Sequence, residues 1–302
     1  MKLFRIIGLG LAVLTSTLGE ASTQSLPEWN VILISWDGVQ RAHLWELREQ
    51  KALPNLEALA AAGAALPMEI RGHATDTKAG HAEMLSGYGP QITGVFSNRR
   101  YQAIPDGLTI FERLKARFDQ QIATIAITGK RQNIIEILEN ALPEIDFALI
   151  RTINAARSGP IMLRALMALK DRAFFAFFHF SDPDHAGHAF GENSQEYSEA
   201  IKTCDLWLGR IVATLQELGI LSKTLIYVTT DHGFDEGRKT HSNAPDIWLV
   251  TNDPTVAPPE DGIALQGDLV PTLLERFGFE LGALEPPLPG RSLIKKAIAA
   301  GR

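Results

Sequence analysis

The chain has 302 residues, 45% of them hydrophobic and 21% charged, with a formal net charge of −6. This is ordinary globular usage, sufficient for a sizeable core and within range for a single α/β enzyme. The acidic balance, without any Lys/Arg block, gives no basis for a nucleic-acid-binding surface, and the sequence holds no internal repeat or low-complexity tract.

Lys2 and Arg5 precede an apolar stretch at 6–14, and Gly19 and Ala21 stand at the −3 and −1 positions of a cleavage site. This layout predicts a secretory signal peptide over 1–21, followed by one catalytic domain over 22–302. The apolar stretch is shorter than the roughly 20 residues that span a bilayer. The expectation is therefore an exported protein, periplasmic if the source is Gram-negative, with no stable membrane anchor after cleavage. Apolar runs rich in β-branched and aromatic residues predict strands at 30–35, 122–128, 146–150, 173–180, 224–230 and 246–251. Several are continuous rather than alternating, as in strands covered on both faces. Helical patterns occupy 53–62, 107–118, 131–141, 153–170, 194–218 and 268–277. Alternation of the two predicts an α/β sandwich with a mostly parallel central sheet and helices on both faces. The single cysteine, Cys204, falls in an amphipathic helical pattern and reads as a small buried apolar residue.

Chemistry-bearing residues gather where strands end. Asp37 closes the first run, and Asp184 and His188 follow the 173–180 run in a loop. Asp231 and His232 close the 224–230 run, with His241 nine residues later. In an open α/β sheet, loops at the carboxyl ends of strands form the ligand site. Three carboxylates and three imidazoles suit two divalent metal ions, with zinc favoured by ligand type. A further segment, Thr75-Asp76-Thr77-Lys78-Ala79-Gly80-His81, reads as a loop entering a helix near Lys78, with Thr77 at or near its N-cap. A helix N-terminus offers free N–H groups and a positive dipole end, a good seat for an anionic ester.

These pieces together resemble the alkaline phosphatase superfamily, and within it the type I phosphodiesterase/nucleotide pyrophosphatase branch. Trp36-Asp37-Gly38 is similar to that family's first-strand metal aspartate, and Thr77-Lys78-Ala79-Gly80-His81 to its nucleophile segment. Asn98, 21 residues on, is similar to its phosphate-binding asparagine. Asp184-His185-Ala186-Gly187-His188, Thr230-Asp231-His232-Gly233 and Thr240-His241 resemble its metal segments. The resemblance covers residues 31 to about 293. It implies an alkaline-phosphatase-like fold and a phosphoric ester hydrolase. One metal would be held by Asp184, His188 and His241, and the other by Asp37, Asp231, His232 and Thr77. Thr77 would attack phosphorus and carry a phospho-threonine intermediate. Asn98, with the backbone N–H of Thr77 or Lys78, would take charge from a non-bridging oxygen. The partner implied is a small-molecule phosphate ester.

The sequence departs from the diesterase pattern after the nucleophile, where Lys78 replaces an aromatic residue. Lys78 and Lys130 are candidate substrate-binding cations suited to the extra charge of a monoester, which makes a phosphate monoesterase the alternative activity. Thr75 is the rival nucleophile, Asp182 the rival of Asp184, and His185 the rival of His188. His81 is expected to support the nucleophile loop by hydrogen bonding, while Asp235 and Glu236 read as a solvated turn. A sulfatase would need a Cys/Ser-x-Pro-x-Arg segment, which the chain lacks. A non-catalytic metal or ligand carrier on the same fold is the remaining alternative, and it would need neither Thr77 nor Asn98.

Overall fold

The computed structural model describes residues 26–260 and 262–295; the expected leader lies outside them. The strands in chain order are β1 (Asn30–Trp36), β2 (Ala64–Glu69), β3 (Ile122–Thr128), β4 (Phe147–Ile150), β5 (Ala173–Phe180), β6 (Thr224–Thr229), β7 (Asp246–Thr251) and β8 (Ala264–Leu265). They form one sheet in the order β4-β3-β5-β1-β6-β7-β2-β8. Only β7 runs against the others, pairing antiparallel with β6 and β2. The mostly parallel sheet expected from continuous apolar runs is what forms. From Val31 to Trp36 every residue of β1 is buried, as is all of β3 and β6.

The helices are α1 (Arg41–Glu49), α2 (Pro54–Ala62), α3 (Thr77–Ser86), α4 (Pro90–Thr93), α5 (Ile110–Phe118), α6 (Arg131–Ile137), α7 (Ala155–Ala168), α8 (Asp182–Phe190), α9 (Gln195–Glu217) and α10 (Leu269–Arg276). Alternation along β1 divides the core. Val31 and Leu33 pack with α3, α5, α6 and α10. Ile32, Ile34 and Trp36 pack with α1, α2, α7 and α9 on the other face. Helix starts follow local chemistry: Ser194 accepts the Tyr197 N–H to open α9, and Thr109 with Glu112 forms a capping box on α5. Truncating one of these wholly buried aliphatic side chains to alanine would cost about 2–5 kcal/mol. Cys204, on α9, is fully buried within the second core.

Three differences from the sequence reading bear on the site. β2 was not anticipated, because Pro67 interrupts the strand pattern of 64–69; the strand is tolerated near the sheet edge, where β8 reaches only Met68 and Glu69. The segment carrying Asp184 and His188 is not a loop but helix α8, on which an i,i+4 pair shares one face. Helix α3 begins at Thr77 itself, with Asp76 as its N-cap residue. Among the described residues no helix is long and apolar enough to cross a membrane.

Candidate active site

Strand register places the ligand-type residues together. β1 lies between β5 and β6, with Ser35 opposite both His179 and Thr229, and Trp36 opposite Phe180. The three central strands therefore end level, and the next residues, Asp37, Ser181-Asp182 and Thr230-Asp231, emerge at one edge. Asp37 N–H still donates to Phe180 O at 3.0 Å, so its backbone is fixed by the ladder. Two donor groups result, Asp37/Asp231/His232 and Asp184/His232/His241, each with its ligand atoms within 4.8 Å of one another. His188 joins the second through its Nε2, 3.4 Å from Asp184 Oδ1 and 3.2 Å from His241 Nε2.

The imidazoles are aimed. His188 Nδ1 faces the Lys239 carbonyl at 2.9 Å, His232 Nδ1 the Gly233 carbonyl at 2.8 Å, and His241 Nδ1 the Thr75 carbonyl at 2.6 Å. A carbonyl only accepts, so each Nδ1 carries a proton and each Nε2 faces the cluster. The Nε2 atoms of His188 and His241 meet at 3.2 Å. Asp37 Oδ1, Asp184 Oδ1, Asp231 Oδ2 and His232 Nε2 are buried and make no hydrogen bond among the described residues. Buried polar atoms are ordinarily satisfied. A cluster of inward acceptors without donors fits bound cations, and the N/O ligand set fits zinc-type ions.

One protein cation enters this cluster. Lys130 Nζ lies 2.7 Å from Asp184 Oδ2, 2.8 Å from Asp37 Oδ2 and 3.0 Å from Thr77 Oγ1. Gly129 allows the approach, since a Cβ there would stand 2.8 Å from Ile153 O and Ser181 Oγ. Burial, and for Asp37 the neighbouring Asp231 charge, work to raise the carboxyl pKa values; Lys130 and adjacent histidines outweigh this and hold Asp37, Asp184 and Asp231 below the usual carboxylate range. Burial would lower Lys130, but the Asp37, Asp184 and Asp231 charges raise it above an ordinary lysine.

Thr77 opens α3 beside this cluster and is 1% exposed, covered in part by Lys130. Helix α3 can approach so closely because residue 80 is glycine: a Cβ there would meet Asp231 O at 2.2 Å. Asn98 is docked on the same helix end. Its Oδ1 accepts the Lys78 N–H at 2.9 Å, and its own N–H donates to Asp76 Oδ2 at 2.9 Å. The Lys78 N–H is therefore already engaged by Asn98, which leaves Thr77 as the backbone donor of the two. The Lys78 side chain is 3% exposed, paired with Glu136, and donates to Arg100 O at 2.8 Å. These contacts engage its ammonium inside the protein and withdraw it from the substrate-facing role read from the sequence.

The rivals fall elsewhere. The Thr75 hydroxyl donates to the His241 carbonyl. Asp182 accepts the Ala155 N–H at the start of α7. His185 is exposed on α8 and belongs to neither donor group. His81 braces the start of α3 by hydrogen bonding, with Nδ1 2.8 Å from Thr77 O and Nε2 3.0 Å from Ser35 Oγ.

Sequence reasoning passed over four residues that position the site. His179 accepts the Gly129 N–H on Nδ1 at 3.1 Å, so its Nε2–H donates to Asp37 Oδ2 at 2.9 Å; burial lowers its pKa, in keeping with a neutral ring. Its signal was present: it is the one polar residue in an otherwise apolar β5. Gly233-Phe234 places Phe234 against Gly38 and Gly187, with its ring 5.2 Å from His188 and 5.5 Å from His241. The Tyr197 hydroxyl donates to Gly38 O at 2.6 Å. Asp235, read as a solvated turn, folds the His241 loop by accepting from Thr240 Oγ1, Ser242 N–H and Asn243 N–H at 2.7–2.9 Å.

A sheet of this order, with carboxylates and imidazoles delivered at the carboxyl ends of its central strands, defines an alkaline-phosphatase-like protein. The sequence matches the family model described as type I phosphodiesterase / nucleotide pyrophosphatase over residues 31–134 and 112–268, and the chain belongs to that family. It is 21% identical over 234 residues to bis(5'-adenosyl)-triphosphatase enpp4 of Xenopus laevis, covering 74% of this chain and 51% of that protein. The chain thus spans about half the length of this relative. Among solved structures it is similar to murine ectonucleotide pyrophosphatase/phosphodiesterase 5, an inactive variant in complex with AMP (TM-score 0.62, 13% identity, 88% of this chain and 100% of that one). It is also similar to a 2-O GAG sulfatase (TM-score 0.64, 13% identity, 88% and 73% covered).

Proposed function

We propose that this protein is an exported, metal-dependent phosphodiesterase acting through Thr77. The observation that carries the reading is a nucleophile-type hydroxyl at the first residue of α3, 3.0 Å from an ammonium and beside two groups of Asp and His ligand atoms, of which Asp37 Oδ1, Asp184 Oδ1, Asp231 Oδ2 and His232 Nε2 make no hydrogen bond among the described residues. Asp37, Asp231 and His232 would hold one divalent ion with Thr77, and Asp184, His188 and His241 the other, with zinc favoured by ligand type. Bound there, two such ions would supply Lewis-acid stabilisation of the attacking and leaving oxygens. The protein's own residues do the rest. Thr77 gives up its hydroxyl proton and Oγ1 bonds to phosphorus as the ester oxygen departs and takes up a proton; water then cleaves the Thr77–phosphate ester and restores the hydroxyl. The Asn98 side-chain amide and the Thr77 N–H, at the positive end of α3, face a non-bridging oxygen. His81 and Ser35 hold the Thr77 backbone in place. AMP in the murine relative's complex supports a nucleotide ester as the substrate class, and export through the 1–21 leader belongs to the same proposal.

A phosphate monoesterase is the second reading, favoured by Lys130, whose ammonium reaches Thr77 Oγ1 and could meet the extra oxygen charge of a monoester. Sulfatase chemistry is disfavoured: residue 77 is threonine, and the only cysteine is buried in α9. The test compares an aryl phosphate monoester with the matching bis-aryl diester on purified, zinc-supplemented protein beside Thr77→Ala. Faster diester turnover, lowered on the order of 10³-fold or more in a variant that still binds zinc, is the expected result. Faster monoester turnover moves the assignment to the second reading. Full activity in Thr77→Ala sinks both.

A further inference from the structure

The position of Lys130 is unusual for a substrate-binding residue. Its Nζ contacts a carboxylate from each half of the donor cluster, Asp37 and Asp184, together with Thr77 Oγ1. Three carboxylates meet at this spot, and Lys130 is the one Lys or Arg whose ion pairs reach any of them among the described residues. Asp37 also accepts from His179 and Asp231 from the Gly38 N–H, with His81 Nδ1 3.2 Å from Asp231 Oδ2, but no other lysine or arginine among the described residues bridges Asp37 to Asp184. Buried charges left uncompensated are costly, so without metal this bridge rests on the ammonium. A divalent ion bound by Asp37 or Asp184 would occupy the same carboxylates.

We propose that Lys130 is the built-in counter-ion of the metal-free site, holding the carboxylates in place and competing with the incoming metal for them. The proposal rests on the metal-site reading above. A metal held through the free Oδ1 atoms of Asp37 and Asp184 draws their charge away from the ammonium on Oδ2, and the released side chain, anchored beside Gly129 and next to Thr77, is then free for substrate. A ligand that binds only one of two states loses apparent affinity in proportion to the population of the other. Removing the ammonium therefore weakens the metal-free protein and strengthens its metal binding.

The experiment titrates zinc into metal-free wild type, Lys130→Met and Lys130→Arg against a chromophoric chelator, and melts each protein with and without zinc. Lys130→Met is expected to melt lower than wild type without metal, to bind zinc about tenfold tighter or more, and to gain more from zinc in melting temperature. Lys130→Arg, which keeps the charge, should stay near wild type. Zinc binding by Lys130→Met no tighter than by wild type overturns the proposal. Absence of zinc binding in wild type overturns the metal reading beneath it, and the proposal with it. A measurement on the wild type alone covers the case in which Lys130→Met does not fold: amine-reactive labelling read by mass spectrometry should be low at Lys130 without zinc and rise with it. Labelling that zinc leaves unchanged or lowers also overturns the proposal.

Discussion

The two halves of the donor cluster are built differently. Asp37, Asp231 and His232 are completely buried and sit directly on strand ends. Each carboxylate there has a fixed partner, His179 for Asp37 and the Gly38 N–H for Asp231 at 3.1 Å. Asp184, His188 and His241 belong to helix α8 and to the loop after β6. The His188 side chain is 45% exposed, and the rings of His188 and His241 are held by single loop carbonyls. Strand ends give rigidity, because neighbouring strands and both core faces constrain them. A short helix and a folded-back loop give access. Under the proposed function, an inner group set by the sheet and an outer group opened to solvent at His188 would suit a nucleophile carried by the protein, with water and product coming and going.

The largest test of this contrast is chelation. Under the proposed function, treatment with a strong chelator abolishes turnover in two kinetic phases, the outer ion leaving first; a single phase for both ions would erase the distinction. Next in size is Asp231→Ala, which should lower turnover on the order of 10³-fold and abolish inner-ion binding while the outer group still takes one ion, as counted by elemental analysis. Equal loss at both positions would show the halves to be one unit. His179→Ala leaves every ligand in place but releases Asp37. Loss of such a supporting partner typically costs about 10–100-fold in metal affinity, and calorimetry should find it at the inner ion alone. Smallest is His185→Ala, expected to leave activity and metal affinity within about twofold, since surface changes away from such features are nearly neutral; a larger loss would reopen the assignment of His188.

Much of this was legible in the sequence. Buried parallel strands announce themselves as continuous apolar runs, so the ends of β1, β5 and β6, and with them Asp37, Asp231 and His232, follow from the residue pattern itself. Asp184 is preferred to Asp182 by its four-residue spacing to His188, although that spacing belongs to a helical turn and not to a loop. What stayed hidden depends on distant pairing. Nothing local to Lys78 reveals that Glu136, on α6, takes its charge, and nothing local to Lys130 reveals that β3 and β5 lie side by side and bring it over Asp184. His179 and Phe234 act through neighbours that sequence separation conceals, the first across 142 residues to Asp37. β2 was missed because its stability comes from pairing with β7 on one side and β8 on the other, against the preference of Pro67.

Cys204 has a consequence of a different kind. It is fully buried in the core beneath α9, burial pushes its thiol pKa well above the ordinary value, and it is the only sulfhydryl in the chain. A neutral, inaccessible thiol neither attacks nor is attacked. The native protein is therefore inert to disulfide exchange at this residue, and dimers linked through sulfur require that α9 first lift from the sheet. The chain thus contains its own tell-tale of opening: whatever reacts at that one thiol has met a molecule in which α9 had, for that moment, come away from its neighbours.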